Sequence, residues 1–129
     1  METQQKATIL IVEDDLDIAD MLNSYFRVQG YDVITVNWGE DGIRACQTTR
    51  PDLVILDIRL PDIDGYEVAR RLRSSTKREL RTVPIIAVTA NALKGDAEKA
   101  LNAGCDVYMS KPINIRELWA RVEAFVPAP

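Results

Sequence analysis

Five short apolar runs, each followed by a stretch with helical spacing, constrain this chain more than any other feature. The runs are Thr8–Val12, Asp32–Val36, Leu53–Leu56, Ile85–Val88 and Val107–Met109, all rich in Ile, Val and Leu. Three of them are nearly continuous, the pattern of strands buried on both faces. Between them, apolar residues recur at helical intervals: Ile18, Leu22 and Tyr25–Phe26, then Val68 and Leu72, and finally Ile115, Leu118, Val122 and Phe125. Gly30 and Gly104 stand where the first and fourth helices should stop. Strand–helix alternation predicts βαβ units with right-handed crossovers, and so a parallel sheet covered on both sides. An α/β domain of five strands and five helices is expected, with no linker or second domain in residues 1–129. The stretch from Ser74 to Thr82 is long for a connection between the third helix and the fourth strand.

With 47% hydrophobic and 28% charged residues in 129, the chain can close a core of its own. The net charge of -4 argues against nucleic acid as a partner, because phosphate binding needs clustered Lys and Arg. Basic residues between Arg70 and Arg81 alternate with apolar ones and read as a solvated helix face. Cys46 and Cys105 lie far apart without metal or disulfide spacing, as idle thiols of a reducing compartment do. The run from Ile9 to Val12 is too short for a signal peptide and ends in three acids, and no stretch reaches membrane-spanning length. A cytoplasmic location without membrane attachment is therefore expected. The chain has no histidine, so imidazole proton shuttles, His-dependent triads and imidazole metal ligands are excluded.

Ligands of open α/β sheets bind beyond the carboxyl ends of the strands. Glu13, Asp14 and Asp15 follow the first run, Asp57 the third, Thr89 the fourth and Lys111 the fifth. A nucleotide-binding version of this architecture would place glycines after the first strand. Here a negatively charged loop stands instead. Carboxylates so close oppose one another's ionisation, and a hard cation such as Mg²⁺ (or Mn²⁺) resolves the repulsion. Capping of the first helix is the plainer role for these acids, and it is the one expected of Asp15. Asp57 ends an apolar strand and opens the loop Asp57-Ile58-Arg59-Leu60-Pro61-Asp62-Ile63-Asp64-Gly65, which suits an exposed carboxylate nucleophile. Taken singly, Lys111 reads as a surface lysine, Thr89 as a strand terminus and Tyr108 as a strand aromatic. Their convergence on one edge raises them to site candidates.

Four segments together resemble one family: Ile9 to Asp15, the Asp57 loop through Pro61 and Gly65, Val88-Thr89-Ala90, and Tyr108-Met109-Ser110-Lys111-Pro112. They are similar to the CheY-like receiver domain of response regulators in two-component signalling, over about residues 8–126. The resemblance implies a flavodoxin-like doubly wound five-stranded parallel sheet in the order 2-1-3-4-5 with five helices. It implies Asp57 as the phosphoacceptor, and Asp14, Asp57 and the Arg59 backbone carbonyl as metal ligands, with Glu13 acting through water. Lys111 and Thr89 would bind the phosphoryl oxygens, Thr89 and Tyr108 would form a switch, and Lys111-Pro112 would share the family's cis bond. Arg59, at a variable position two after the acceptor, would tune dephosphorylation. The donor would be a histidine kinase or histidine phosphotransfer protein docking over the strand-end loops and first helix, with Trp38 as an aromatic anchor. The downstream target would meet the fourth helix, fifth strand and fifth helix, including Trp119.

Such a chain would be no enzyme beyond its own phosphorylation and dephosphorylation, and would work as a stand-alone regulator or phosphorelay shuttle. Three alternatives stand beside that reading. A receiver excised from a hybrid histidine kinase would share every motif. An aspartyl-phosphate hydrolase would want an Asp two after the nucleophile, where Arg59 stands. A pseudo-receiver that only binds partners would not need the complete acid, hydroxyl and amine set.

Overall fold

The computed structural model describes residues 6–90 and 95–128. Among them, β1 (Thr8–Val12), β2 (Asp32–Val36), β3 (Leu53–Asp57), β4 (Ile85–Thr89) and β5 (Val107–Ser110) form one parallel sheet in the order β2-β1-β3-β4-β5. The helices are α1 (Leu16–Val28), α2 (Gly39–Thr49), α3 (Gly65–Arg73), α4 (Arg78–Thr82), α5 (Asp96–Ala103) and α6 (Ile115–Phe125). Six helices stand where five were expected. The extra one, α4, is a five-residue turn in the long 74–82 stretch, so the expected fourth and fifth helices are α5 and α6.

Every residue of β3 and β4 is buried, as their continuous apolar runs require, whereas the edge strands β2 and β5 mix buried and exposed positions. Successive side chains of a strand point to opposite faces, and the core divides accordingly. Leu10, Val12, Val54, Leu56, Ile85 and Ala87 pack against α2, α3 and α5. Ile9, Ile11, Leu53, Ile55, Ile86 and Val88 pack against α1 and α6. Truncating a fully buried leucine such as Leu56 to Ala would cost roughly 2–5 kcal/mol.

Local chemistry sets the helix ends. The Asp15 carboxylate accepts the N–H groups of Asp17 and Ile18 at 3.0 and 3.2 Å, so it caps α1 as expected. Asp64 caps α3 and Asn114 caps α6 in the same way. Gly30 and Gly104 follow α1 and α5 with φ of 101° and 110°, a region side chains disfavour.

Two expectations need correction. Phe125 is exposed, so the buried stripe of α6 stops at Leu118 and Val122. Arg73, in the supposedly solvated basic face, is partly buried and hydrogen-bonds Gly104, Leu80, Arg81 and Asp106. Cys46 and Cys105 are buried free thiols, as expected, and burial pushes them up to about 12 and about 11, which disfavours the reactive thiolate. No helix among the described residues is long and apolar enough to cross a membrane.

Candidate functional site

Strand alternation carries the α1–α6 face past Ile11, Ile55 and Met109 to Glu13, Asp57 and Lys111. The structure brings these three together. Glu13 leaves β1 with its N–H donating to Val36 O at 3.0 Å, and its carbonyl accepts Asn37 Nδ2 at 2.9 Å. Asp57 closes β3, and the next N–H, of Ile58, donates to Val88 O at 3.0 Å. Both acids are buried, at 3% and 4% exposure, so Asp57 is not the exposed carboxylate expected from its loop: the strand end holds it within the fold. Lys111 is held by its own N–H donating to Thr89 O at 2.8 Å, and its bond to Pro112 is cis, as expected. Its Nζ lies 2.7 Å from Glu13 Oε1 and 3.4 Å from Asp57 Oδ2.

One ammonium does not balance the acids around it. Burial pushes the Asp57 carboxyl up to about 8, and hydrogen bonding to Glu13 and the Glu13 charge push the same way, against Lys111 and the Arg59 amide. Burial works against the charge of Lys111, but its bond to Glu13 and the Asp57 charge hold its pKa above the ordinary lysine value. Asp14 is exposed at the rim. One oxygen from each of Glu13, Asp14 and Asp57 lies within 4.8 Å of the others. Three carboxylates at that spacing, one open to solvent, fit a hard divalent cation that keeps some of its waters. Asp15 is spent on the α1 cap, and the acids that cluster with Asp57 are Glu13 and Asp14.

The other expected residues lie beside this centre. Thr89 ends β4 at 3% exposure. Tyr108 packs against the α2–α3–α5 side of the core, and its hydroxyl is buried with no hydrogen-bond partner among the described residues. Arg59 donates its N–H to Asp57 Oδ1 at 3.2 Å, and its side chain is exposed. Trp38 is half exposed at the N-cap of α2, and Trp119 is half-buried, edge-on to Tyr25 at 6.1 Å. Next to Lys111, Ile18, Met21, Pro112 and Ile113 line an open apolar cavity of about 230 Å³.

Two residues of the Asp57 loop have roles that the sequence reading did not assign. A Cβ on Gly65 would lie 2.6 Å from Asp57 O and 2.8 Å from Ile58 Cα, so only glycine lets α3 start against the strand end. Asp62 accepts the N–H groups of Gly39 and Glu40, both at 2.8 Å. The available signal was an unfilled cap: Trp38, before α2, has no side chain suited to capping.

Residues 9–123 match the family model of the response regulator receiver domain. The chain is 39% identical over 118 residues to the alkaline phosphatase synthesis transcriptional regulatory protein PhoP of Bacillus subtilis, covering 92% of this chain and 48% of that one. It thus spans about half the length of that relative. It is 34% identical over 119 residues to the polar-differentiation response regulator DivK of Brucella anthropi, covering 92% and 95% of the two chains. Among solved structures, it superposes with TM-score 0.84 and 37% identity on the receiver domain of a sensor histidine kinase from Pseudomonas aeruginosa, over 94% of this chain and 98% of that one. That structure holds a magnesium ion coordinated in its active site cleft.

Proposed function

The chain belongs to the response regulator receiver domain family of two-component signalling, and from that membership we propose that Asp57 accepts a phosphoryl group from a partner's phosphohistidine. The observation that carries this is the imbalance at the strand ends: three carboxylates with oxygens within 4.8 Å of one another, against the ammonium of Lys111 as their one cationic partner among the described residues. Asp14, Asp57 and the Arg59 carbonyl would hold Mg²⁺ (or Mn²⁺) directly, and Glu13 through water. The cation would neutralise the acid cluster and the incoming phosphoryl oxygens.

In the transfer, a carboxylate oxygen of Asp57 forms a bond to phosphorus while the N–P bond of the donor breaks, its electron pair returning to the imidazole. Asp57 must be ionised to attack, yet burial, with the hydrogen bond and charge of Glu13 beside it, raises its pKa. A cation in the cluster would favour the ionised carboxylate. Lys111, already aimed at Asp57 Oδ2, pairs with the phosphoryl oxygens as they arrive. Because residues 1–129 hold no histidine, the phosphohistidine must lie outside them, on a histidine kinase or a histidine phosphotransfer domain. Its docking face would be α1 and the apolar cavity of Ile18, Met21, Pro112 and Ile113, with the half-exposed Trp38 at the start of α2 as a further anchor.

The output would follow from Thr89 and Tyr108. A phosphoryl oxygen beside Thr89 rewards an inward hydroxyl, and the Tyr108 ring then reorients on the α5–β5–α6 face, where the downstream protein binds. Incubation with acetyl phosphate should add one phosphoryl mass in Mg²⁺ and none in EDTA. Labelling that persists undiminished in EDTA would overturn the reading.

A further inference from the structure

We propose that Asp62 is a positioning residue of the cation site, acting by clipping the Asp57 loop to the start of α2. The proposal rests on the phosphoacceptor reading above, which makes the Arg59 carbonyl a ligand. Helix α2 begins with amides that its own N-cap, Trp38, does not satisfy. Both oxygens of Asp62, more than 20 residues away, do so instead: Oδ1 accepts the Gly39 N–H and Oδ2 the Glu40 N–H, each at 2.8 Å.

The junction is also close-packed. A Cβ on Gly39 would stand 2.6 Å from Ile63 Cγ1 and 3.1 Å from Val68 Cγ2, so helix and loop interlock only through glycine. The loop is thereby held at both ends. At its start, Ile58 bonds β4 and the Arg59 N–H bonds Asp57. At its far end, Asp62 bonds α2. Arg59 lies within the restrained stretch, so the clip would limit the movement of its backbone before any cation arrives. Preorganising a ligand in this way raises affinity by sparing the ordering step at binding. Linkage makes the effect reciprocal, so a cation on the loop must tighten the clip.

The test uses the full chain and Mg²⁺ alone, titrated by NMR. Asp62→Ala should weaken Mg²⁺ binding by about tenfold, in the range lost when groups supporting metal ligands are removed. Asp62→Asn, which keeps one acceptor, should fall between it and the parent. Asp106→Ala removes comparable hydrogen bonds at the opposite end of the sheet, and should leave Mg²⁺ affinity unchanged. In the parent, Mg²⁺ should slow hydrogen exchange at the Gly39 and Glu40 amides. Equal Mg²⁺ affinity in Asp62→Ala and the parent would overturn the clip and leave the phosphoacceptor reading standing. A parent that binds no Mg²⁺ would overturn both.

Discussion

The sheet carries a polar cluster at each end, and the two are built on opposite principles. At the amino ends of the strands, the Arg73 guanidinium donates to Gly104 O at 2.9 Å, Arg81 O at 3.1 Å, Leu80 O at 3.4 Å and Asp106 Oδ2 at 3.0 Å. Asp106 Oδ2 also accepts the Ile85 N–H at 2.8 Å. One cation meets one carboxylate and three carbonyls, so charge and hydrogen bonding close within the protein. At the carboxyl ends, Glu13 and Asp57 converge on the Lys111 ammonium, their one cationic partner among the described residues, and Asp14 adds a third carboxylate within 4.8 Å of theirs. A polar cluster that balances itself ties elements together. One that keeps an excess of one sign in a buried place is stable only with something added from outside.

The largest expected effect crosses the two ends. Asp57→Asn should abolish acetyl phosphate labelling entirely, while Arg73→Ala should label to the same extent as the parent once folded. Intact mass spectrometry of both variants decides it. Full labelling of Asp57→Asn would remove the acceptor from the site, and loss of labelling in folded Arg73→Ala would erase the distinction between the ends.

Next in size is the stability of the balanced end. The Arg73 side chain is only 21% exposed and joins α3, α4 and the α5–β5 turn. Removing it strands the Asp106 carboxylate and the Gly104 carbonyl with weaker partners. The cost of Arg73→Ala should be roughly 2–4 kcal/mol, between that of a lost charged hydrogen bond and that of a broken buried pair. Urea unfolding gives the value, and a cost below about 0.5 kcal/mol would class Arg73 with ordinary surface residues.

The unbalanced end should show itself in pH dependence. Burial, with Glu13 beside it, pushes the Asp57 carboxyl from 3.8 up to about 8, so between those values the folded state should bind a proton that the unfolded state has lost. Stability without metal therefore falls as pH rises through that window, by no more than about 1.4 kcal/mol per pH unit for one group. In EDTA, the urea midpoint of the parent should drop from about pH 5 to about pH 8 more than that of Asp57→Asn, and saturating Mg²⁺ should flatten the difference. Parallel pH profiles for parent and variant would mean that Asp57 is not strained by its neighbours.

These contrasts also explain what the sequence disclosed. β1, β3 and β4 were legible because strands buried on both faces must be apolar throughout, and strand ends are then where Glu13, Asp57 and Thr89 have to fall. Lys111 was legible only through its place at the end of the fifth strand beside the other candidates, since nothing in its neighbours announces a 2.7 Å bond to Glu13. α4 was hidden because five residues with one buried side chain, Leu80, make no periodic signal. Arg73 and Asp62 were hidden for a shared reason. Each satisfies backbone groups of a distant segment, and a hydrogen bond to an amide or carbonyl leaves no mark on that partner's identity.

The smallest expected effect concerns the other arginine, Arg59, whose side chain is exposed where that of Arg73 is held. Hydrolysis of an aspartyl phosphate needs water in line with the P–O bond, on the solvent side. A guanidinium two residues past Asp57 can reach over that approach and pair with the phosphoryl oxygens. It would speed hydrolysis only by binding the transition state better than the ground state, as a preorganised arginine finger does. Arg73 shows what preorganisation takes in this fold: four acceptors fixing one guanidinium. The exposed Arg59 side chain is not held in that way, so pairing with the ground state and exclusion of water should dominate. Arg59→Ala should then lose its phosphoryl group about two- to fivefold faster than the parent, a change of no more than about 1 kcal/mol in barrier. Single-turnover decay of purified phosphoprotein in Mg²⁺ measures this directly. Slower decay in the variant would show that Arg59 acts as a finger after all, and that exposure in the resting site does not prevent ordering once the phosphoryl group is in place.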